Sequence, residues 1–385
     1  MASSNNNDNI RQERIIPCRD RVIPYGDDEA IQSAFDEDGY VVVSNVLSPV
    51  EVEAVLDEIW TSDNLLGKFD RTDPESWNHP SWPQQANGGR NFLSSTNVFR
   101  DACNWDVASS PRQYHLQKLL WQRDDLIMSS LGRWGVMRPS GYNSQWKTES
   151  NWLHWDHNPW TKPGFSHVQA IICLSDSTPT SGGFACVRGF HKKFRHWGEE
   201  HPMGSLVVNG KIINETYGDG QPFPVPSDDP CQQEIIQALA PAGSMILWDS
   251  RLPHQNVPNI DNEEFRVVFY CNMVVATDSV LEERRKLLVQ TRILMDLQND
   301  YGERFPHNLS ELGNQVHGWT ESTVELSEAL CEFGIVDTEA FLKASRLVKE
   351  AGISEEEGDI STSIRKHQAA LRAFPDIETW YNVIF

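Results

Sequence analysis

Long apolar runs are missing from this 385-residue sequence. No stretch reaches the roughly 18 apolar residues of a membrane-spanning helix, so such a helix is not expected. Paired cysteines are missing too: Cys18, Cys103, Cys173, Cys186, Cys231, Cys271 and Cys331 include no CxxC. That spacing argues against a zinc ribbon or a disulfide framework and for a reducing intracellular compartment. Positive charge is scarce. With 33 Lys and Arg against 55 Asp and Glu, the net charge of -22 disfavours nonspecific binding to nucleic acid or anionic membranes. An anionic ligand would need a local basic pocket. The start, "MASSNNNDNIRQER", lacks the apolar centre of a secretory signal, and the final "NVIF" is no peroxisomal Ser-Lys-Leu address. The expected location is cytoplasmic, and residues 1–27 are expected to form a disordered or extended tail.

What is present reads as a soluble globular protein with a mainly β centre. Residues 28–62 suggest helix, short strand, helix. Ser48, Pro49 and Glu51 punctuate the second helix as N-cap, first-turn proline and capping box. Val52, Val55, Leu56, Ile59 and Trp60 follow with the spacing of one buried face. From Ser62 to about Pro111 no period is sustained, and a long loop is expected. Between Arg133 and Val275 short strand candidates recur: "RWGVMR", "NWLHWD", "HVQAIICLSD", "FACVRG", "GSMILWDS" and "FRVVFYCNMVV". Their spacing suggests a β-sandwich or jelly roll. Beyond Thr277 the pattern becomes helical, so residues 278–385 read as a helical C-terminal extension. No internal repeat is evident.

The stretch "NWLHWDHNPW", residues 151–160, carries the densest chemistry. In an extended strand His154 and Asp156 project to one face, while Trp155 and His157 project to the other. A neutral imidazole beside a carboxylate, joined by a distant His, makes the facial triad that leaves positions open on Fe(II). On spacing alone, the pair reads more readily as a satisfied polar pair at a strand end.

A wider pattern bears on that choice. "FDEDGYVVVSNVLSPVEVEAV", "HWDHNPW", "GGFACVRGFHK" and "WDSRLPHQNVPN" followed by "FRVVFY" occur in an order and spacing that resembles the phytanoyl-CoA dioxygenase-like family of Fe(II)/2-oxoglutarate oxygenases. The resemblance runs from about Asp28 to Val275. It implies a double-stranded β-helix (jelly roll, cupin-like) core over residues 28–277, with N-terminal helices, the long loop 62–111 and the helical extension 278–385. It implies His154, Asp156 and His254 as metal ligands and catalytic centre, with Arg266 pairing the far carboxylate of 2-oxoglutarate. A planar, permanently charged guanidinium suits that carboxylate. On the strand from Phe265, Arg266, Val268, Tyr270 and Asn272 share a face that should point into the barrel. Fe(II), 2-oxoglutarate and O2 are the implied cofactor and co-substrates, and a small organic molecule the substrate. Related halogenases replace the carboxylate with a small residue, so Asp156 disfavours halogenation.

Other polar residues are assigned on position. Gln169, Trp248 and Lys147 are candidate 2-oxoglutarate contacts, with Asn158 a further neighbour; structural bonding is an equal alternative for each. His157 is expected to pack outward, and His191 in "RGFHK" is expected to lie in a loop after a strand. His167 and His196 have no partner pattern. Arg251 is expected to bond Asp249 or a backbone carbonyl. Arg188 stands where much of the family has Pro. Two rival readings remain: a non-catalytic jelly-roll protein that binds or senses metal and 2-oxoglutarate, and a zinc hydrolase using the same ligands.

Overall fold

The computed structural model describes residues 15–19, 21–62, 65–82, 92–93, 102–130, 132–149, 151–156, 158–208, 211–213, 222–297, 309–319, 330–331 and 334–377. The chain forms two compact units, Met1–Val98 with Ser110–Val274, and Phe99–Ser109 with Val275–Phe385.

The first unit is built on two sheets. One has the order β2 (Val22–Pro24), β3 (Tyr40–Ser44), β14 (Met245–Asp249), β8 (Val168–Cys173), β16 (Arg266–Tyr270), β6 (Arg133–Met137) and β4 (Phe92–Leu93). The other runs β1 (Ile16–Cys18), β13 (Ile235–Ala238), β9 (Gly183–Val187), β15 (His254–Val257), β7 (His154–Trp155) and β12 (Phe223–Pro224). Four short strands lie outside both: β5 (Leu126–Met128), β10 (Leu206–Val208), β11 (Lys211–Ile213) and β17 (Met273–Val275). Along the chain, β7, β8 and β9, and then β13, β14, β15 and β16, alternate between the sheets. That alternation makes the double-stranded β-helix expected from the sequence.

Central strands are apolar because both their edges and faces are covered. β14, "MILWD", is buried throughout and pairs with β3 on one side and β8 on the other. One buried cluster joins Phe184, Ile246, Trp248 and Val268 with Trp155, Phe194, Trp197 and Phe223. The helix Pro49–Thr61 carries the expected capping box: Ser48 Oγ accepts from Glu51 N, and Glu51 Oε2 accepts from Ser48 N at 2.6 Å. All five expected core residues of that helix are buried. Gly39 ends the preceding helix, Asp28–Asp38, at φ +75°, and a Cβ there would stand 2.5 Å from His191 Nδ1. Both the turn and the close approach require glycine.

Within the tail expected to be disordered or extended, Ile16–Cys18 and Val22–Pro24 form edge strands, β1 parallel to β13 and β2 parallel to β3. One region differs from the sequence expectation. The interval 62–111 holds more than loop, because Asp73 caps a short helix, Pro74–Trp77, and a second helix runs Ala102–Ala108. In the first of these, Trp77 joins Trp60, Trp82, Trp146 and Phe265 in an aromatic cluster. Arg138 lies over the Trp82 and Trp146 rings and donates to the Trp77 carbonyl at 2.9 Å. Aromatic packing, which has no period in sequence, replaces the regular pattern there.

The second unit is helical. Asp278–Leu297, Glu311–His317, Thr338–Glu356 and Ile360–Ala373 follow the expected change of pattern, and Ala102–Ala108 belongs to the same unit. Asp337 and Asp359 cap the last two helices, which enclose Leu330, Ile335, Phe341, Ala344, Ala370 and Ile377. No described helix is long and apolar enough to cross a membrane.

Candidate metal centre

Strand register brings the two histidines together. His254 of β15 pairs directly with His154 of β7, and their ring centroids are 4.4 Å apart. Asp156 lies just past the end of β7, and its side chain is 37% exposed. Its Oδ1 is 3.3 Å from His154 Nε2, and its Oδ2 is 3.4 Å from His254 Nε2. One ligand atom from each of the three residues fits within 4.8 Å of the others.

The backbone sets the imidazole tautomers. His154 Nδ1 lies 3.1 Å from the Trp152 carbonyl, and His254 Nδ1 lies 3.0 Å from the Leu252 carbonyl. A carbonyl oxygen only accepts, so each Nδ1 carries a proton and each Nε2, which faces Asp156, is the nitrogen placed to hold a metal. Burial, and then the neighbouring His254, pushes His154 below its ordinary pKa. Burial acts to raise Asp156, but contact with the two imidazoles outweighs it and holds the carboxyl well below the usual range. Neutral histidines and an ionised carboxylate are the protonation states a divalent cation needs. Two imidazole nitrogens and a carboxylate oxygen that converge within 4.8 Å fit such a cation.

The inner face of the opposite sheet supplies three further groups. Gln169 Nε2 donates to Asp156 Oδ2. Trp248, in register with Gln169, places its ring 5.4 Å from His254 and 4.4 Å from Phe184, and its buried Nε1 has no partner. Arg266 is 1% exposed; it makes no ion pair among the described residues, and its Nε has no hydrogen-bond partner. Met137 Sδ lies 3.9 Å from its Nη1. Burial pushes the guanidinium below its ordinary pKa. The backbone beside it is bare: a Cβ on Gly183, at φ +136°, would stand 2.7 Å from Ser177 Oγ and 3.3 Å from Arg266 Nε. Arg266, Val268 and Tyr270 share a face, as the strand period requires.

The remaining candidates lie apart from this cluster in role. Lys147 is exposed after the turn Ser144–Trp146. Asn158 is structural: its Oδ1 accepts from Trp160 N and Thr161 N. His191 sits in the short turn after β9 and contacts the Asp36 carbonyl at 3.2 Å. His167 bonds Ser166, and His196 lies exposed beside Glu199 and Glu200. His157 lies outside the described residues. Arg251 makes a two-pronged pair with the buried Asp249, at 2.9 and 2.6 Å, in the turn that leads to His254. Arg188 reaches Cys18 Sγ at 2.7 Å. Sequence reasoning missed the two carbonyls that orient the histidines, because backbone acceptors leave no mark in residue identity.

A profile of the family described as Phytanoyl-CoA dioxygenase (PhyH) matches residues 35–267. The chain belongs to the phytanoyl-CoA dioxygenase family. It is accordingly a non-haem iron oxygenase that uses Fe(II), 2-oxoglutarate and O2. Among the solved structures that resemble it are two of the epimerase SnoN. One, in complex with Fe3+, alpha ketoglutarate and nogalamycin RO, is 17% identical over 65% of this chain and 84% of that chain, with a TM-score of 0.42. The other, described as a non-heme alpha ketoglutarate dependent epimerase from nogalamycin biosynthesis, is 18% identical over the same shares, with a TM-score of 0.43. Among curated proteins no sequence gives a significant match.

Proposed function

We propose that His154, Asp156 and His254 hold Fe(II), that Arg266 binds the far carboxylate of 2-oxoglutarate, and that the enzyme hydroxylates a small organic substrate at carbon. Desaturation and cyclisation are the alternative outcomes of the same oxidation. One observation carries the reading: a fully buried guanidinium faces the barrel interior with no anion beside it among the described residues. A buried charge of that kind costs free energy unless paired. A dicarboxylate co-substrate supplies the missing partner, and the planar fork of Arg receives it through two hydrogen bonds.

The chain's own residues then have defined tasks. The Trp152 and Leu252 carbonyls hold both imidazoles at Nδ1 and turn Nε2 inward, toward the metal. Trp248 and Phe184 wall the His254 side with apolar surface, which keeps water away from the reacting groups. Trp248 Nε1 remains as a donor for a bound oxygen atom of the co-substrate. Asp156, at the exposed end of the cluster, marks the side from which substrate enters. When bound, the iron with 2-oxoglutarate and dioxygen supplies the oxidising chemistry and releases succinate and carbon dioxide. Zinc-dependent hydrolysis would leave Arg266 without a use.

Anaerobic addition of Fe(II) and then 2-oxoglutarate should give a visible charge-transfer band, and admission of air should release succinate. A protein that purifies with zinc, shows no band and forms no succinate would overturn the proposal.

A further inference from the structure

We infer that Gln169 is a positioning residue that keeps Asp156 a one-oxygen ligand, coordinating through Oδ1. The inference rests on the iron and 2-oxoglutarate reading above. A carboxylate oxygen only accepts, so the Gln169 amide has one possible orientation: Nε2 donates to Asp156 Oδ2, and Oε1 turns away. Oδ2 therefore already holds a proton donor. Among the described residues, Oδ1 faces only His154 Nε2, at 3.3 Å. A cation entering between the imidazoles meets one unencumbered carboxylate oxygen and one engaged oxygen.

That difference decides how many coordination positions remain. A facial triad of single-atom ligands leaves three positions of an octahedral ion for other molecules. A carboxylate that swings to bind through both oxygens removes one of them, at the expense of a chelating co-substrate. Gln169 is built to prevent the swing. Its backbone is fixed inside a sheet, in register with Trp248, and the next residue's N–H is held by Asn272 Oδ1 at 2.7 Å. Its Oε1 is buried and has no hydrogen-bond partner. A glutamine kept only for packing would have both ends of its amide satisfied. Here the bond to Asp156 is the side chain's one polar anchor, and Oε1 is left to accept from a donor on a bound ligand.

The test compares the full-length wild type with Gln169→Met, which keeps length without the amide, and Gln169→Asn, which keeps the amide without the reach. Each protein is titrated anaerobically, first with Fe(II) alone, following bound iron by equilibrium dialysis, and then with 2-oxoglutarate, following the charge-transfer band. A hydrogen bond to a charged group corresponds to roughly 10- to 100-fold in an equilibrium constant. The expected result is Fe(II) affinity within about threefold of wild type in both variants, while the 2-oxoglutarate Kd rises at least about tenfold. Unchanged 2-oxoglutarate affinity in both variants, or iron loss as large as the loss of 2-oxoglutarate binding, would overturn the inference. Absence of the band in the wild type would instead sink the underlying reading. If Gln169→Met fails to fold, Gln169→Asn carries the comparison.

Discussion

Replacing Arg266 by Met should strengthen the fold and weaken the enzyme. Arg266 is fully buried without a counter-charge, so the folded chain bears its desolvation cost with no ion-pair gain. Met has similar length, flexes to fill the same space and removes the charge. Replacing buried ionic groups with apolar ones of similar volume is worth up to about 1–4 kcal/mol, or roughly 2–4 °C of Tm per kcal/mol in a domain of this size. The opposite sign holds for 2-oxoglutarate. Losing one partner of a buried, hydrogen-bonded charge pair costs about 2–5 kcal/mol, so the Kd should rise from roughly 30-fold to several thousand-fold. Arg266→Lys keeps the charge but not the fork, and should fall between. Thermal melts of the metal-free protein and anaerobic 2-oxoglutarate titrations at fixed Fe(II) give both numbers. A metal-free Arg266→Met protein that melts lower than wild type while binding 2-oxoglutarate normally would refute the reasoning.

Three further outcomes are expected. His254→Ala should lose bound iron and succinate formation, whereas His157→Ala should keep its iron; metal analysis after anaerobic loading decides, and full iron in the first variant would remove His254 from the ligand set. In the helical unit, burial and then Arg284 lower His317 from 6.5 to about 3, so between those values the unfolded chain binds a proton that the folded chain refuses. Stability of that unit should therefore fall as pH drops through that window, by up to about 1.4 kcal/mol per pH unit. Denaturant melts of the whole protein should show a shallower pH slope in His317→Gln, and an identical slope would contradict the assignment. Ser48→Ala removes the cap of the helix Pro49–Thr61 and should cost about 1 kcal/mol in the same assay, with a neutral result showing the capping box to be idle.

Local chemistry made some features readable in the sequence and tertiary packing hid others. The capping box at Ser48 was legible because its partners are three residues apart. The spacing of His154 and Asp156 was legible for a similar reason, although Asp156 lies past the strand rather than in it. The convergence of His254 on that pair depends on strand register, and the family resemblance supplied it where spacing could not. The edge strands at 16–24 were hidden, since "IPC" and "VIP" are too short for alternation and owe their structure to the neighbouring strands. The Gln169–Asp156 bond was equally hidden: Gln169 lies in one sheet and Asp156 just past a strand of the other, with no periodic pattern between them. Lys147, chosen for its nearness in sequence, is exposed in the fold.

The direct pairing of His154 with His254 would give the proposed metal a mechanical part as well as a chemical one. An ion gripped by both rings would fasten two strands separated by roughly 100 residues of chain, and its binding free energy would offset the entropy of closing so long a loop. At a free metal concentration about 100 times its Kd, such binding adds about 2.7 kcal/mol to stability by mass action. Iron starvation should therefore expose the chain to proteases, tying how much of the protein survives to how much of its metal is on hand.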